Sequence, residues 1–448
     1  MTRTRRGLGR TAAAAGALAL ARCGLGQDRQ GGGAGPKGPH GAATISILYG
    51  GGGQPVLDLY DRTAFKRFRE RFPGSTIHLD SSGNPLSKVL TLHAAGNAPD
   101  IIQGADTWVI DVATKGLGLA LDDRIRRWDA RTDFVSSAWD AGQYSGKQWG
   151  LPLFVTARMV YLRRGVLEEV GVSRPPLTWE ALVDTAKRST KVEGERLLRQ
   201  GFTSPAGDGW WYFFWLLQTT GATLFKDGKP AFTGGDGEAT LAFMTDLQQA
   251  IRPRGVEPLA GNDAANFTAG TVAHGWLHLA PYQVIEQQNP KDYHEMVIAT
   301  PPVPGNERYR VPGGRKAAPL TFVDNALLFL SPQSRYADHA WELTKLLLEG
   351  ETLLEFNRLR GRLVPRKSLF KQGYMLEAKI QEIVALYERY GRARFNPPNF
   401  DAVTRATNAV VKDVVADQKI SVKDGVATLA RELEQIAREA NYTGTTRT

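Results

Sequence analysis

Apolar positions along this chain switch repeatedly between the period of a strand and the period of a helix. Residues 43–49 form an apolar, β-branched run, with Thr44, Ile45, Ile47 and Leu48, that predicts a buried strand. Leu57, Tyr60, Ala64, Phe65, Phe68 and Phe72 then fall on one helical face, and Pro73 and Gly74 stop the helix. A short strand is expected at 76–79, a helix at 86–95 and a third strand at 100–103. Strands and helices alternating at this spacing argue for βαβ units and a largely parallel sheet.

The same alternation continues downstream. Residues 150–155 and 156–163 read as extended, and a helix begins at Thr178, its N-cap, with Glu180 at the positive dipole end. Residues 210–217 are a dense aromatic and apolar run, and 237–251 is an amphipathic helix. A buried strand is expected at 323–330 and an amphipathic helix at 337–348, while Val426, Leu429, Leu433 and Ile436 stripe a last helix. No repeat of fixed period is present, and the fold class is α/β throughout.

Length changes this picture to two lobes, because 448 residues exceed what one small core organises. The formal charge of +10 suggests nucleic acid until it is located. Residues 1–39 hold seven Arg and Lys against Asp28 alone, a net of +6, which leaves about +4 on the rest. No nucleic-acid partner is expected. Arg3, Arg5, Arg6 and Arg10 precede the apolar stretch 11–21, the layout of an export signal too short to span a bilayer. Arg5 and Arg6 also loosely match a twin-arginine signal, so both export routes stay open. Leu20, Ala21, Arg22, Cys23 and Gly24 resemble a bacterial lipobox, with Arg22 where that pattern has a small residue. Cys23, the only cysteine, is the expected lipidation site at the end of a 1–23 signal segment. Residues 24–42, rich in Gly and Pro, read as a flexible stalk.

Catalytic machinery is hard to find. Gly50, Gly51, Gly52 and Gly53 follow a strand and precede a helix, but the later glycine of a dinucleotide fingerprint and the Lys of a P-loop are missing. They read as a tight turn bringing backbone near a ligand. His274 and His278 stand at i and i+4, which on a helix would face one metal, yet no third ligand accompanies them and buried or surface histidines are the expectation. No metal and no cofactor are expected. A Gly-x-Ser-x-Gly elbow is absent, and Asp122 with Asp123, or Glu168 with Glu169, read as solvated charges. A secreted glycosidase stays open as the enzymatic alternative, since distant carboxylates can pair in a fold.

Six segments in order carry a resemblance. They are Gly96 to Ile102 (Gly-Asn-Ala-Pro-Asp-Ile-Ile), Gly146 to Pro152 (Gly-Lys-Gln-Trp-Gly-Leu-Pro), Tyr161 to Arg164, Pro175 to Leu182, Phe267 to Gly275, and Gly313 onward through Ala340 and Trp341 to Leu348. With them the chain, from about residue 43 on, resembles the family 1 extracellular solute-binding proteins of bacterial ABC importers, the maltose-binding-protein-like group. Trp149 and His274 replace that family's usual tyrosine and methionine.

The resemblance implies two α/β lobes, residues 43–155 with about 323–370 and residues 156–322 with about 371–448, hinged near 151–156 and 323–330 around a ligand cleft. It implies a non-enzymatic monomer that captures a small polar solute, a sugar first, and passes it to transmembrane permease subunits. A different solute such as glycerol phosphate or a polyamine, or an adhesin or sensor role, stays open. A sugar needs flat apolar surfaces and fixed polar groups. Trp108, Trp210, Trp211, Trp276 and Phe154 are the aromatic candidates, Asp106, Asp208 and Asp324 the acceptors, and Arg158 and Arg362 the donors. Gly52 and Gly314 are expected to line the cleft with backbone. Trp210 and Trp211, adjacent in sequence, are expected to point apart, so that only one meets ligand.

Overall fold

A computed structural model describes residues 39–51, 53–80, 86–305, 307–312 and 317–446. The first apolar run forms β1 (Thr44–Leu48), and its parallel neighbours are β2 (Thr76–Asp80) and β3 (Ile101–Ala105). The helix between β1 and β2 runs from Gly53 to Arg71 through a π-helical turn, Asp61–Phe65. That wider turn shifts the face by one position, so Val56 and Leu59 are buried ahead of Tyr60 and Phe68, and Leu57 is only half-buried.

The sheet is mixed where a largely parallel one was expected. The chain leaves β4 (Gly150–Ala157) directly for a second sheet beginning with β5 (Met159–Leu162). That sheet also holds β6 (Lys191–Glu193), β7 (Arg196–Phe202), β8 (Val272–Leu277) and β9 (Val297–Ala299), in the order β9, β5, β8, β7, β6. β10 (Thr321–Leu330) then returns to the first sheet, antiparallel to both β3 and β4, and β11 (Gly391–Ala393) pairs parallel with its first three residues. A strand arriving from another lobe has no crossover helix to force a parallel pairing.

Arg158 alone separates β4 of the first sheet from β5 of the second, and its backbone N–H donates to Phe322 O at 3.1 Å. The crossing therefore lies just beyond the 151–156 segment, which pairs with β10 apart from an irregularity at Leu153 and also exchanges backbone hydrogen bonds with Leu363 through Val155. Phe322 lies near the start of β10, so the two crossings touch.

One core runs across the crossings, taking Met159 and Tyr161 of β5 and Val272 of β8 together with strands of the first sheet. Leu151, Leu153, Val155, Leu328 and Leu330 on the first sheet pack with Trp341 and Leu343, and the helix Ala378–Tyr390 adds Ile380, Ile383 and Tyr387. The second core is built on the helix Gly209–Thr219, whose sequence Gly-Trp-Trp-Tyr-Phe-Phe-Trp-Leu-Leu is apolar on all sides, as a helix enclosed by others must be. Thr178 caps the helix Trp179–Ser189 by accepting from Ala181 N at 3.2 Å, as expected. Glu180 does more than meet the dipole: its carboxylate accepts from Gly305 N at 2.9 Å and Arg308 N at 3.3 Å, tying down an incoming loop. Among the described residues, no helix is long and apolar enough to cross a membrane.

Candidate functional site

The crossings concentrate charge. Arg158 sits at the crossing itself, Asp324 near the start of β10, and Arg394 directly after β11. Arg158 lies with its guanidinium carbon 4.2 Å from the Trp211 ring centre and 5.4 Å from that of Trp276. Arg394 approaches the same Trp211 ring at 5.0 Å, with Trp210 at 5.8 Å and Phe400 at 5.3 Å. One indole is thus flanked by two guanidinium groups. Arg362 lies 5.6 Å from the Phe154 ring and reaches His278 Nδ1 at 3.5 Å.

Trp210 and Trp211 do not point apart. Their ring centres are 4.3 Å from each other at 32°, and both face Arg394. At the first turn of the helix the side chains are not yet held by a preceding turn, and Phe400 and Phe322 close in from either side. Trp276 is 2% exposed and stacks on Trp215 at 3.9 Å, so it acts mainly as the floor beneath Arg158.

Asp106 is 3% exposed, and its carboxylate is already engaged. It accepts from Asn325 N at 2.8 Å and Asn325 Nδ2 at 3.1 Å and is ion-paired with Arg394. Asn396 Nδ2 donates to its main-chain oxygen at 3.0 Å. Asp106 therefore fixes Arg394 and Asn396 in place rather than offering itself to a ligand. Trp108 packs over Gly104, where even a Cβ would collide with its ring, and joins the cluster of Leu48, Val109 and Phe329. No contact with the arginine group is seen for it among the described residues.

Several polar atoms here are buried without a protein hydrogen bond among the described residues: Asp324 Oδ2, Asn325 Oδ1, Asn396 Oδ1, Trp276 Nε1 and the Nε atoms of Arg158, Arg362 and Arg394. Burial raises the Asp324 carboxyl above the usual carboxylate range, with Arg394, Arg158 and Arg362 opposing it. Burial also lowers Arg158 and Arg362, against the pull of Asp324 on each. Asp208 stands at the rim with one side open to solvent, and the protein around it pushes its carboxyl up to about 6 against the fields of Arg158 and Arg394. Burial, with Arg362 and Arg158 adding, drops His278 to about 3, so it is neutral at physiological pH.

His274 belongs to strand β8, not to a helix, so its partnership with His278 on one helical face does not exist. Its Nδ1 accepts from Arg163 N at 3.1 Å and its Nε2 meets Ser189 Oγ at 3.1 Å, wholly inside the protein. Among the described residues, no group of three or more His, Cys, Asp or Glu could hold a metal. Gly52, Gly314 and Cys23 lie outside the described residues.

The structure thus gathers Phe154, Arg158, Trp210, Trp211, Trp276, Asp324 and Arg362 around the crossings, with Asp208 at the rim. Sequence reading missed Arg394, Asn396, Asn325 and Phe400. The run Arg394-Phe395-Asn396-Pro397-Pro398-Asn399 held a signal: two prolines forbid a helix, and an extended Arg and Asn beside them suit a cleft edge.

The sequence pattern of a family described as bacterial extracellular solute-binding protein matches residues 63–382. A binding protein of Brucella abortus (strain 2308) is 23% identical over 360 residues, covering 78% of this chain and 83% of the relative. In structure, the chain is similar to the sugar-binding protein MalE of Xanthomonas citri, with a TM-score of 0.74 at 20% identity over 89% of this chain and 98% of that one. An ABC transporter solute-binding protein of Thermotoga lettingae, bound with α-D-tagatose, gives 0.70 at 20% identity, over 88% of this chain and all of that one. These neighbours share the two-lobed fold. With its pattern matched over most of its length, the chain belongs to the family of bacterial extracellular solute-binding proteins.

Proposed function

We propose that this protein captures a saccharide between its lobes by hinge closure and delivers it unchanged to the permease of an ABC importer. One observation carries the reading: Asp324 Oδ2 and Arg158 Nε are both buried, their side chains lie in each other's field, and neither atom has a protein hydrogen bond among the described residues. A buried polar group left unsatisfied costs about 1–3 kcal/mol. A vicinal diol answers both at once, one hydroxyl donating to Asp324 and its neighbour's oxygen accepting from Arg158, while the sugar's apolar face lies against Trp210 and Trp211.

Charge balance supports a neutral ligand. Arg158, Arg362 and Arg394 are matched by Asp106, Asp208 and Asp324, which suits neither glycerol phosphate nor a polyamine. Two of the similar structures are described as sugar-binding or sugar-bound proteins. Contacts at the crossings reach both sheets, so a ligand there stabilises the closed arrangement over the open one. The protein works as a monomer. Export under the basic, apolar leader and a lipid anchor at Cys23 would hold it on the outer face of the membrane, within reach of the permease.

A thermal-shift screen against saccharides, polyols, phosphates and polyamines tests the reading, because a ligand of the folded state raises the melting temperature. A saccharide hit recovered intact supports it. A saccharide converted to products would replace it with a glycosidase, and a response confined to phosphates or polyamines would replace the ligand class.

A further inference from the structure

The tryptophan helix Gly209–Thr219 starts from Asp208 at its N-cap, yet the Asp208 carboxylate makes no capping bond. An Asp in that position ordinarily accepts from the N–H two or three residues on, here Trp210 or Trp211. Trp210 N instead donates to Asn408 Oδ1 at 2.9 Å, a side chain 198 residues further along, on the helix Phe400–Val411. Trp211 N turns back to the main-chain oxygen of Asp208 at 3.1 Å. Both donors that the carboxylate would take are therefore occupied, one of them by another helix.

The two helices meet closely at this point. Gly209 is buried, and a Cβ there would lie 2.7 Å from Val411 Cγ1 and 3.3 Å from Asn408 Oδ1. Only glycine lets the second helix approach near enough to cap the first. Phe400, at the start of that second helix, stands edge-on to the Trp210 ring at 5.0 Å and 89°. Asn408 is exposed, and its reach to Trp210 N comes from this close packing.

Outside the cap, the Asp208 carboxylate belongs to the arginine group. Burial raises it to about 6, with Arg158 opposing, Asp324 adding and Arg394 opposing. Tyr212, on its own helix, is a further titratable group in its field. A carboxylate engaged as a cap would be shifted the other way, because N–H donors and the positive end of the helix favour its charged form.

We propose that Asn408 is a positioning residue for solute binding: it takes over the cap of the tryptophan helix, so that the Asp208 carboxylate stays at the rim beside Arg158 and Arg394 and is available to the solute. Without Asn408 the carboxylate swings onto the vacated Trp210 N–H and leaves the rim. The inference rests on the saccharide reading above.

Two measurements test it, the first without solute. Thermal melting at neutral pH compares wild type with Asn408→Ala, Asp208→Ala and the double variant. Asp208 caps nothing in wild type and replaces the lost cap in Asn408→Ala, so Asp208→Ala lowers the melting temperature further in the Asn408→Ala background than in wild type. Shifts that simply add would overturn the takeover of the cap.

The second follows affinity for the saccharide found in the thermal screen, between about pH 5 and 8, where Asp208 titrates. Asn408→Ala weakens binding about three- to tenfold, the worth of one hydrogen bond, and adds nothing on top of Asp208→Ala, because it acts through that carboxylate. The midpoint of the acid decline moves down in Asn408→Ala. It moves up in Asn408→Asp, which keeps the cap, sets a like charge beside Asp208 and binds as wild type does at the alkaline end. A loss in Asn408→Ala that adds in full to that of Asp208→Ala, or a midpoint unmoved in both Asn408 variants, would overturn this inference and leave the saccharide reading standing. Should no saccharide bind, that reading fails by itself, and the melting comparison still decides whether Asn408 frees Asp208 from the cap.

Discussion

Asp106, at the end of β3, is ion-paired with Arg394, which directly follows β11, and 288 residues of sequence separate the two. Both are almost fully buried, with side-chain exposures of 4% and 7%. The pair is a positioning device: it turns the Arg394 guanidinium toward Trp211, while the Asp106 main-chain oxygen accepts from Asn396 Nδ2 and holds that side chain alongside. Removing one partner of a buried pair strands the other charge, at a cost of about 3–5 kcal/mol. Asp106→Ala is expected to destabilise the protein by that amount in urea unfolding. Asp106→Asn, which keeps acceptors for Asn325, is expected to lose less.

Trp211 is flanked by Arg158 and Arg394 at 4.2 Å and 5.0 Å. Trp211→Ala removes a stacking surface for ligand and the aromatic face that holds both cations, and ligand affinity is expected to fall at least tenfold by calorimetry. Trp108→Ala serves as the contrast. Its ring fills the space over Gly104, so the loss is expected in thermal stability, about 3–5 kcal/mol.

Ligand binding is expected to depend on pH through Asp208. Its carboxyl is raised to about 6, so it is charged above that pH and neutral below. A hydroxyl donated to the carboxylate favours the charged form, so affinity is complete above about 6 and declines as pH falls, by at most tenfold per pH unit. Titrations between pH 5 and 8 check this, and Asp208→Asn is expected to flatten the profile at the low plateau.

Folding stability carries a separate pH signature. Burial, with Arg163 and Arg199 adding, holds His274 down to about 3, whereas the unfolded chain takes that proton near 6.5. The contribution of the neutral ring is therefore complete above 6.5 and lost as pH falls, at up to about 1.4 kcal/mol per pH unit. Asp208, raised when folded, works in the opposite sense below 6. The difference between wild type and His274→Gln isolates the histidine: the stability advantage of wild type is expected to shrink steadily from pH 6.5 to 5 in chemical denaturation.

Much of this molecule could be read from local pattern. Apolar periodicity locates β1, β2 and β3 and the last helix Val422–Glu439 to within a few residues, because each buries a face that the sequence must write out. Strand direction could not be read that way. Whether β10 runs with or against β3 depends on where the chain has been in the meantime, and no residue in either strand records it.

The site divides along the same line. Arg158, Asp324 and Trp211 stood out as charges and aromatics at the ends of predicted elements, which is where the crossings bring them together. The engagement of Asp106 with Arg394, and the packing of the Trp210 ring against Trp211, arise from contacts between segments about 200 to 300 residues apart. His274 and His278 show the opposite hazard: an i, i+4 spacing means one face only if the segment is a helix, and 272–277 is a strand.

Tryptophan fluorescence titrated with the saccharide found in the thermal screen, on wild type and on Asp324→Asn, reads the central claim most directly. A saturable change in the wild type, with affinity weakened about tenfold or more in Asp324→Asn, is the result expected if a sugar hydroxyl donates to Asp324 beside Arg158. Equal affinity in the two proteins would contradict a saccharide site at these residues.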